Sequence, residues 1–406
     1  MNKALRAGTL AVLAVAVAGV AWWWSREQRA PVPPEAAVVA ARMGDDTGGV
    51  PVLPAQRVVP VVLERAVAFP AALASAASKP SSAQPSTMNL QLCGVGPVTI
   101  RLPPKGAGAE SFDPLPGPLG HLARAEAWHQ VLAAMESNPS ERSRAAALVL
   151  RASGLPEADA AMRPVQAPPD TVPVVRQLAE LARSTRDAGV LQWALAVCKR
   201  YEGVAECQRL SAQQLVVLAP DDGRHWLLLA AVDPLRRKEA LLRAAHASTI
   251  GVSPPLWPLV DAAAPATLPP YLLQDVLIEA VGVDAAMPDA SLHAVATHCT
   301  GQGDEQRTTC LALADALYLR GQDLLTQSVG RGVGKRHGWP TERVAAAQAE
   351  QLRLMTKTHW GDADQPYACE AVQRTTQFLR DRAQFGEIVT LRRMADAASA
   401  PAGAPR

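Results

Sequence analysis

The sequence predicts a mainly α protein: an irregular array of helical hairpins with one small β-hairpin, preceded by a transmembrane helix and a disordered tether. Three observations carry this prediction. The apolar 49% of the 406 residues is mostly Ala, Leu and Val, with aromatics at only 4%, a balance that favours helices over aromatic-rich sheets. From about Leu119 to Met394, apolar residues recur at three-and-four spacing between Pro and Gly punctuation. One short stretch, Met88 to Leu102, instead alternates with period two around a Gly/Pro turn.

The first element is residues 1–29. Lys3 and Arg6 precede an uncharged run from Ala7 to Trp24, which Arg26, Glu27 and Arg29 follow. Eighteen residues at ~1.5 Å each make ~27 Å of helix, close to the hydrocarbon thickness of a bilayer. Trp22, Trp23 and Trp24 fall where such a helix leaves the bilayer, the place for amphipathic indoles. A cleaved signal peptide competes, because Gly19 and Ala21 are small residues placed for cleavage before Trp22. The uncleaved anchor is preferred, since the run exceeds the usual ~7–15-residue signal core. A lipoprotein is excluded because no Cys precedes Cys93.

Residues 30–87 follow as a tether with nine prolines between Pro31 and Thr87 and no sustained pattern. A flexible chain of that length reaches ~40 Å. Within it, Val58 to Phe69 is more apolar than a free linker needs. Residues 88–118 form the hairpin unit. Leu90 and Leu92 alternate before Gly94-Val95-Gly96-Pro97, and Val98, Ile100 and Leu102 alternate after it. A Pro-rich connection from Pro103 to Pro118 leads to the helical body, residues 119–398, and a disordered tail, 399–406.

In the body the clearest faces are Val190, Trp193, Ala194, Val197 and Cys198; Cys207, Leu210, Ser211, Leu215 and Leu218; Leu292, Val295, Ala296 and Cys299; and Cys310, Leu313, Ala314 and Leu317. Gly203 separates the first two faces, and Gly301 with Gly303 the second two. Cys198–Cys207 and Cys299–Cys310 therefore read as staples of two helical hairpins, leaving Cys93 and Cys369 to pair by elimination. An even count of six cysteines without a CxxC pair suits an oxidising space. The charges flanking residues 7–24 tie at two Lys/Arg on each side, so the signal-like layout of a six-residue basic tail before the apolar run, together with the cysteines, sets the expected orientation: anchor in the inner membrane, body in the periplasm. Six reduced, buried thiols in a cytoplasmic body are the opposing reading.

The segment from Leu218-Ala219-Pro220, LAPDDGRHWLLLAAV, resembles the junction between two tetratricopeptide-type units: a proline after one helix, then Trp226, Leu229 and Ala230 opening the next. No 34-residue period runs along the chain, so the resemblance implies an irregular array in the style of these repeats. The general layout is similar to membrane-anchored helical proteins of the Gram-negative envelope, a resemblance that implies no activity.

Gly330-Arg331-Gly332-Val333-Gly334-Lys335-Arg336 approaches a phosphate loop, but the spacing from Gly330 is one residue short and Arg336 stands where a hydroxyl belongs. A flexible or kinked helix continuing Leu325 and Val329 is the expectation. His298-Cys299 with Cys310 and His293 offers nitrogen and sulfur, at a spacing that matches no tetrahedral zinc pattern. There is no GxSxG, no HExxH and no visible carboxylate pair. No catalytic, cofactor-binding or metal residue is therefore assigned. Trp128, Trp193, Trp226, Trp257, Trp339 and Trp360 are expected to fill gaps between helices. Arg320, Arg331, Lys335, Arg336, Arg343 and Arg353 make residues 320–355 locally basic, either a solvated face or a site for an acidic partner or membrane.

Lys plus Arg at 40 against Asp plus Glu at 38 gives a net charge of +2, which excludes a strongly basic nucleic-acid binder; no nucleic-acid partner is expected. The function expected is a membrane-anchored binding or scaffold module for an envelope protein or peptide. An envelope hydrolase acting on peptidoglycan or peptide is the alternative, and a plain structural spacer the third class.

Overall fold

A computed structural model describes residues 87–101, 121–154, 171–201, 203–287, 289–301, 303–356 and 365–399. The expected membrane segment 7–24 with Trp22, Trp23 and Trp24, the expected tether up to Ser86, the connection Pro103–Pro118, Trp360 and the tail from residue 400 lie outside the described residues. The described part is mainly helical with one two-stranded antiparallel hairpin. Among the described residues, no helix is long and apolar enough to cross a membrane.

The hairpin is β1 (Thr87–Leu92) and β2 (Gly96–Arg101), in register from Thr87 opposite Arg101 to Leu92 opposite Gly96. Thr87, expected at the end of the tether, belongs to the strand. The turn is also shorter than expected: it is Cys93-Gly94-Val95, closed by the Val95 N–H to the Leu92 carbonyl at 3.1 Å. Pro97 lies in β2 opposite Gln91, whose N–H points outward to Gln365 Oε1 at 3.0 Å. That pair exchanges no ladder bond, so a residue without an N–H is tolerated there. Leu90 and Leu92 turn inward onto Tyr271, Leu272 and Val372. Two strands alone are marginal, and this docking supplies the missing apolar partner.

Helices α1 (His121–Ser137), α2 (Glu141–Ala152), α3 (Thr171–Ser184) and α4 (Ala188–Cys198) build the first core. Asp187 starts α4 by accepting the Gly189 N–H at 2.8 Å, and Ser140 starts α2 through the Ser143 N–H. Trp128, Leu132, Leu150, Leu178 and Trp193 are buried there. Helices α8 (Trp257–Ala263), α9 (Pro270–Ala286), α14 (Cys369–Phe385) and α15 (Glu387–Ser399) add Val260, Val276, Phe378, Leu379 and Leu391 to the same core. Ser399, expected in the tail, is the last residue of α15.

Helices α5 (Ala212–Leu218), α6 (Gly223–Val232), α7 (Arg237–His246), α10 (Ser291–His298), α11 (Asp304–Arg320) and α12 (Leu324–His337) contribute to the second core. Leu227, Leu241, Val295, Leu313 and Leu317 lie at its centre, and Trp339 closes one side. One further helix, α13 (Thr341–Thr356), runs between α12 and α14 in the chain.

Two cysteine pairs differ in context. Cys299 caps α10 and Cys310 lies in α11, so their bond staples a true helical hairpin, with Cα atoms 5.7 Å apart. Cys207 does not share a helix with Leu215. It sits in a 3₁₀ turn, Cys207–Arg209, after which Leu210 is extended and a capping box of Ser211 and Gln214 starts α5. The Cys198–Cys207 bond thus ties the end of α4 to a turn, at a Cα separation of 5.4 Å. Cys93 pairs with Cys369 at the start of α14, and all six cysteines are disulfide-bonded.

Residues 330–336 lie wholly within α12. Their glycines serve close packing: a Cβ on Gly330 would stand 2.7 Å from the Tyr318 backbone nitrogen, and one on Gly334 2.3 Å from the Trp339 ring. Helix contact, not phosphate, accounts for the glycine pattern.

Candidate functional site

Three polar clusters and one apolar face stand out once the helices are in place. The first cluster lies beneath the hairpin. On α9, Tyr271, Gln274, Asp275 and Glu279 recur on one helix face. Trp128 donates its indole N–H to Glu279 Oε2 at 2.5 Å, and Arg124 stands 3.5 Å from the other Glu279 oxygen. Gln274 donates to the Pro366 carbonyl at 3.3 Å. Burial pushes the Asp275 carboxyl up to about 6, with Arg124 opposing the shift and Glu279 adding to it. The Tyr367 hydroxyl hydrogen-bonds Asp275, and burial together with that carboxylate raises the phenol above its usual range. Tyr367 therefore stays protonated and donates to Asp275.

The second cluster runs between helix ends. Arg224, almost wholly buried, donates to the Gly251 carbonyl at 3.0 Å and to the Asp289 carboxylate, and lies 3.9 Å from Asp323. Burial lowers its pKa; Asp323 and Asp222 oppose that. Asp323 caps α12 at the Thr326 N–H, 2.7 Å away. Glu387 accepts the Leu324 N–H at 3.1 Å and pairs with Arg382 at 2.7 Å; burial raises its carboxyl, with Arg382 opposing. Asp284 accepts the Leu256 N–H with both oxygens at 3.0 Å, and burial pushes it up to about 7 against that bond and Arg382. Asp222, Asp323, Glu387 and Asp284 each hold a backbone N–H at a helix start, so this network holds the two cores in register.

The third cluster joins Cys299, Cys310 and His337, all buried, with one candidate ligand atom from each within 4.8 Å of the others. His337 Nε2 lies 2.8 Å from the Cys299 carbonyl oxygen, Arg307 donates to the His337 carbonyl at 3.1 Å, and Arg336 donates to the Cys299 carbonyl at 3.3 Å. The histidine that reaches the disulfide is thus neither His298 nor His293. His293 is exposed, its Nε2 3.2 Å from the Thr297 hydroxyl, and His298 is half-buried, its pKa lowered by burial, Arg237 and His337.

The basic stretch 320–355 is largely occupied internally. Arg320 donates to the Ala245 and Ala247 carbonyls at the end of α7, Arg343 lies 2.7 Å from Asp315 and over the Trp339 ring, and Arg353 bridges Glu350 and Asp396. The tryptophans behave as gap fillers with local partners: Trp193 donates to the Pro254 carbonyl, Trp226 to that of Pro220, and Trp339 to Asp315.

The apolar face is on α13. Ala345, Ala349, Leu352 and Met355 recur at three-and-four spacing and are exposed, Leu352 at 60%, while only Ala347 and Leu354 of this helix are buried. Its exposure is not legible in the sequence, because an apolar stripe has the same spacing whether it meets a core or solvent.

No protein-family model, curated protein or solved structure matches this chain.

Proposed function

We propose that the protein is a membrane-anchored periplasmic scaffold whose helical body binds an envelope protein or peptide. The observation that carries the binding role is the exposed stripe Ala345, Ala349, Leu352 and Met355 on α13. A face of that spacing suits an amphipathic helix or apolar groove on a partner. The pairing of all six cysteines supports an oxidising compartment. The apolar run Ala7–Trp24 and the proline-rich tether support attachment to the inner membrane at a distance. The shifted carboxylates, Asp275, Asp284 and Glu387, face Arg, Tyr and backbone N–H groups, an arrangement that serves packing better than hydrolysis.

Photocrosslinking from position 352 in intact cells tests the reading. A discrete adduct from 352, absent when the same probe replaces exposed Leu235 and abolished by Ala349→Asp, is expected. No adduct at 352, or equal adducts from both positions, contradicts it.

A further inference from the structure

We propose that Cys299, Cys310 and His337, in the dithiol form of this staple, make a metal site for a zinc-class divalent ion. This goes beyond the scaffold reading and does not depend on it. The three side chains come from three helices: Cys299 caps α10, Cys310 lies inside α11, and His337 closes α12. One ligand atom from each already falls within 4.8 Å of the other two, and all three residues are buried. A tetrahedral zinc ion at ~2.3 Å from sulfur and ~2.0 Å from nitrogen needs its ligands ~3.3–3.8 Å apart. The two cysteines start from Cα atoms 5.7 Å apart.

The donor set selects the ion. Two thiolates and an imidazole favour zinc and similar soft or borderline ions over magnesium or calcium. The neighbouring guanidinium groups do not fill the ligand positions, because Arg307 and Arg336 are directed at the His337 and Cys299 carbonyls. Two thiolates balance a dication. The His337 ring is held through Nε2 at the Cys299 carbonyl, 2.8 Å away, so it arrives with its orientation set. The fourth position belongs to water. In the disulfide form the same histidine seals the end of α10. The joint between α10, α11 and α12 thus has two alternative locks.

The exchange balances. A dithiol reductant forms its own disulfide as the Cys299–Cys310 S–S bond breaks, giving two electrons and two protons to the two sulfurs; the divalent ion then displaces those two protons.

The test uses the full chain, reduced with a phosphine and titrated anaerobically with Co2+ as the probe, with helical circular dichroism followed in parallel. The expected result is one equivalent of Co2+ with tetrahedral ligand-field and thiolate charge-transfer bands, bleached by Zn2+. Zinc is also expected to protect Cys299 and Cys310, but not Cys198 and Cys207, from alkylation. His337→Ala should weaken binding at least tenfold, and His337→Cys should restore it with a stronger thiolate band, a rescue that a merely capping histidine would not show. Loss of helical signal on reduction, absence of the bands in a folded reduced chain, or bands unchanged in His337→Ala would each overturn the proposal.

Discussion

Cys93 and Cys369 are 276 residues apart in sequence and covalently joined, their Cα atoms 4.5 Å apart. The bond fixes the hairpin turn to the first residue of α14, and the Cys93 N–H donates to the Tyr367 carbonyl beside it at 2.9 Å. Gln365 continues this seam, donating to the Asn89 carbonyl and accepting from the Gln91 N–H. The outer edge of β1 is thereby covered, as an exposed edge would otherwise invite pairing with another chain.

Loop closure predicts a ranking of the staples. In the chain-entropy picture the 276-residue loop contributes about 5.6 kcal/mol and the nine-residue Cys198–Cys207 loop about 2.6 kcal/mol. The double variant Cys93→Ser/Cys369→Ser should therefore lose more stability in denaturant unfolding than Cys198→Ser/Cys207→Ser. The reverse order would assign the stabilisation to local strain relief instead.

Helix contact predicts the effect of filling the glycines of α12. Gly334→Ala forces a methyl group into the Trp339 ring, and Gly330→Ala forces one against the α11 backbone, each at a cost of about 1–3 kcal/mol. Exposed Lys335→Ala should change stability by less than about 0.5 kcal/mol. Thermal unfolding of the three variants checks this; a larger loss from Lys335→Ala than from Gly334→Ala would contradict the packing account.

The internal use of the basic stretch makes a further prediction. Arg320→Ala leaves the carbonyls of Ala245 and Ala247 without their donor, which should cost about 1–3 kcal/mol. If the arginine served an outside acidic partner instead, stability would be unchanged and only binding would suffer.

How much of this was legible in the sequence varies with the range of the cause. The α11 face Cys310, Leu313, Ala314 and Leu317 is fully buried, as its spacing predicts, because helix periodicity is a local property. The cysteine pairs flanking Gly203 and Gly301 were readable for the same reason. Pro97 was misplaced into the turn because its tolerance depends on which way Gln91 points, a matter of ladder register. Cys207 has helical spacing to Leu210 and Leu215 but lies outside α5, because the capping box of Ser211 and Gln214 starts that helix after it. His337 was invisible at the cysteines, since it arrives from another helix 38 residues beyond Cys299. The raised carboxyls of Asp275 and Asp284 follow from burial, which only tertiary packing creates.

Asp284 gives a pH prediction with a definite sign. Its folded carboxyl, raised to about 7 by burial, binds a proton more readily than an unfolded aspartate. Folding then takes up a proton between the ordinary aspartate range and about 7. That stabilisation is complete on the acid side and is lost as pH rises through about 7. Asp284→Asn keeps an acceptor for the Leu256 N–H and removes the buried charge. Its thermal midpoint at pH 8 should exceed that of the parent by several degrees, at about 2–4 °C per kcal/mol, with a flatter dependence between pH 5 and 8. A lower midpoint with an unchanged slope would show that Asp284 is charged and stabilising throughout.

The central claim is an exported body held by three disulfides. A non-reducing peptide map of the protein recovered from its native membrane, with free thiols alkylated before digestion, tests it most directly. The account predicts linked peptides Cys93–Cys369, Cys198–Cys207 and Cys299–Cys310; recovery of all six thiols alkylated would contradict it.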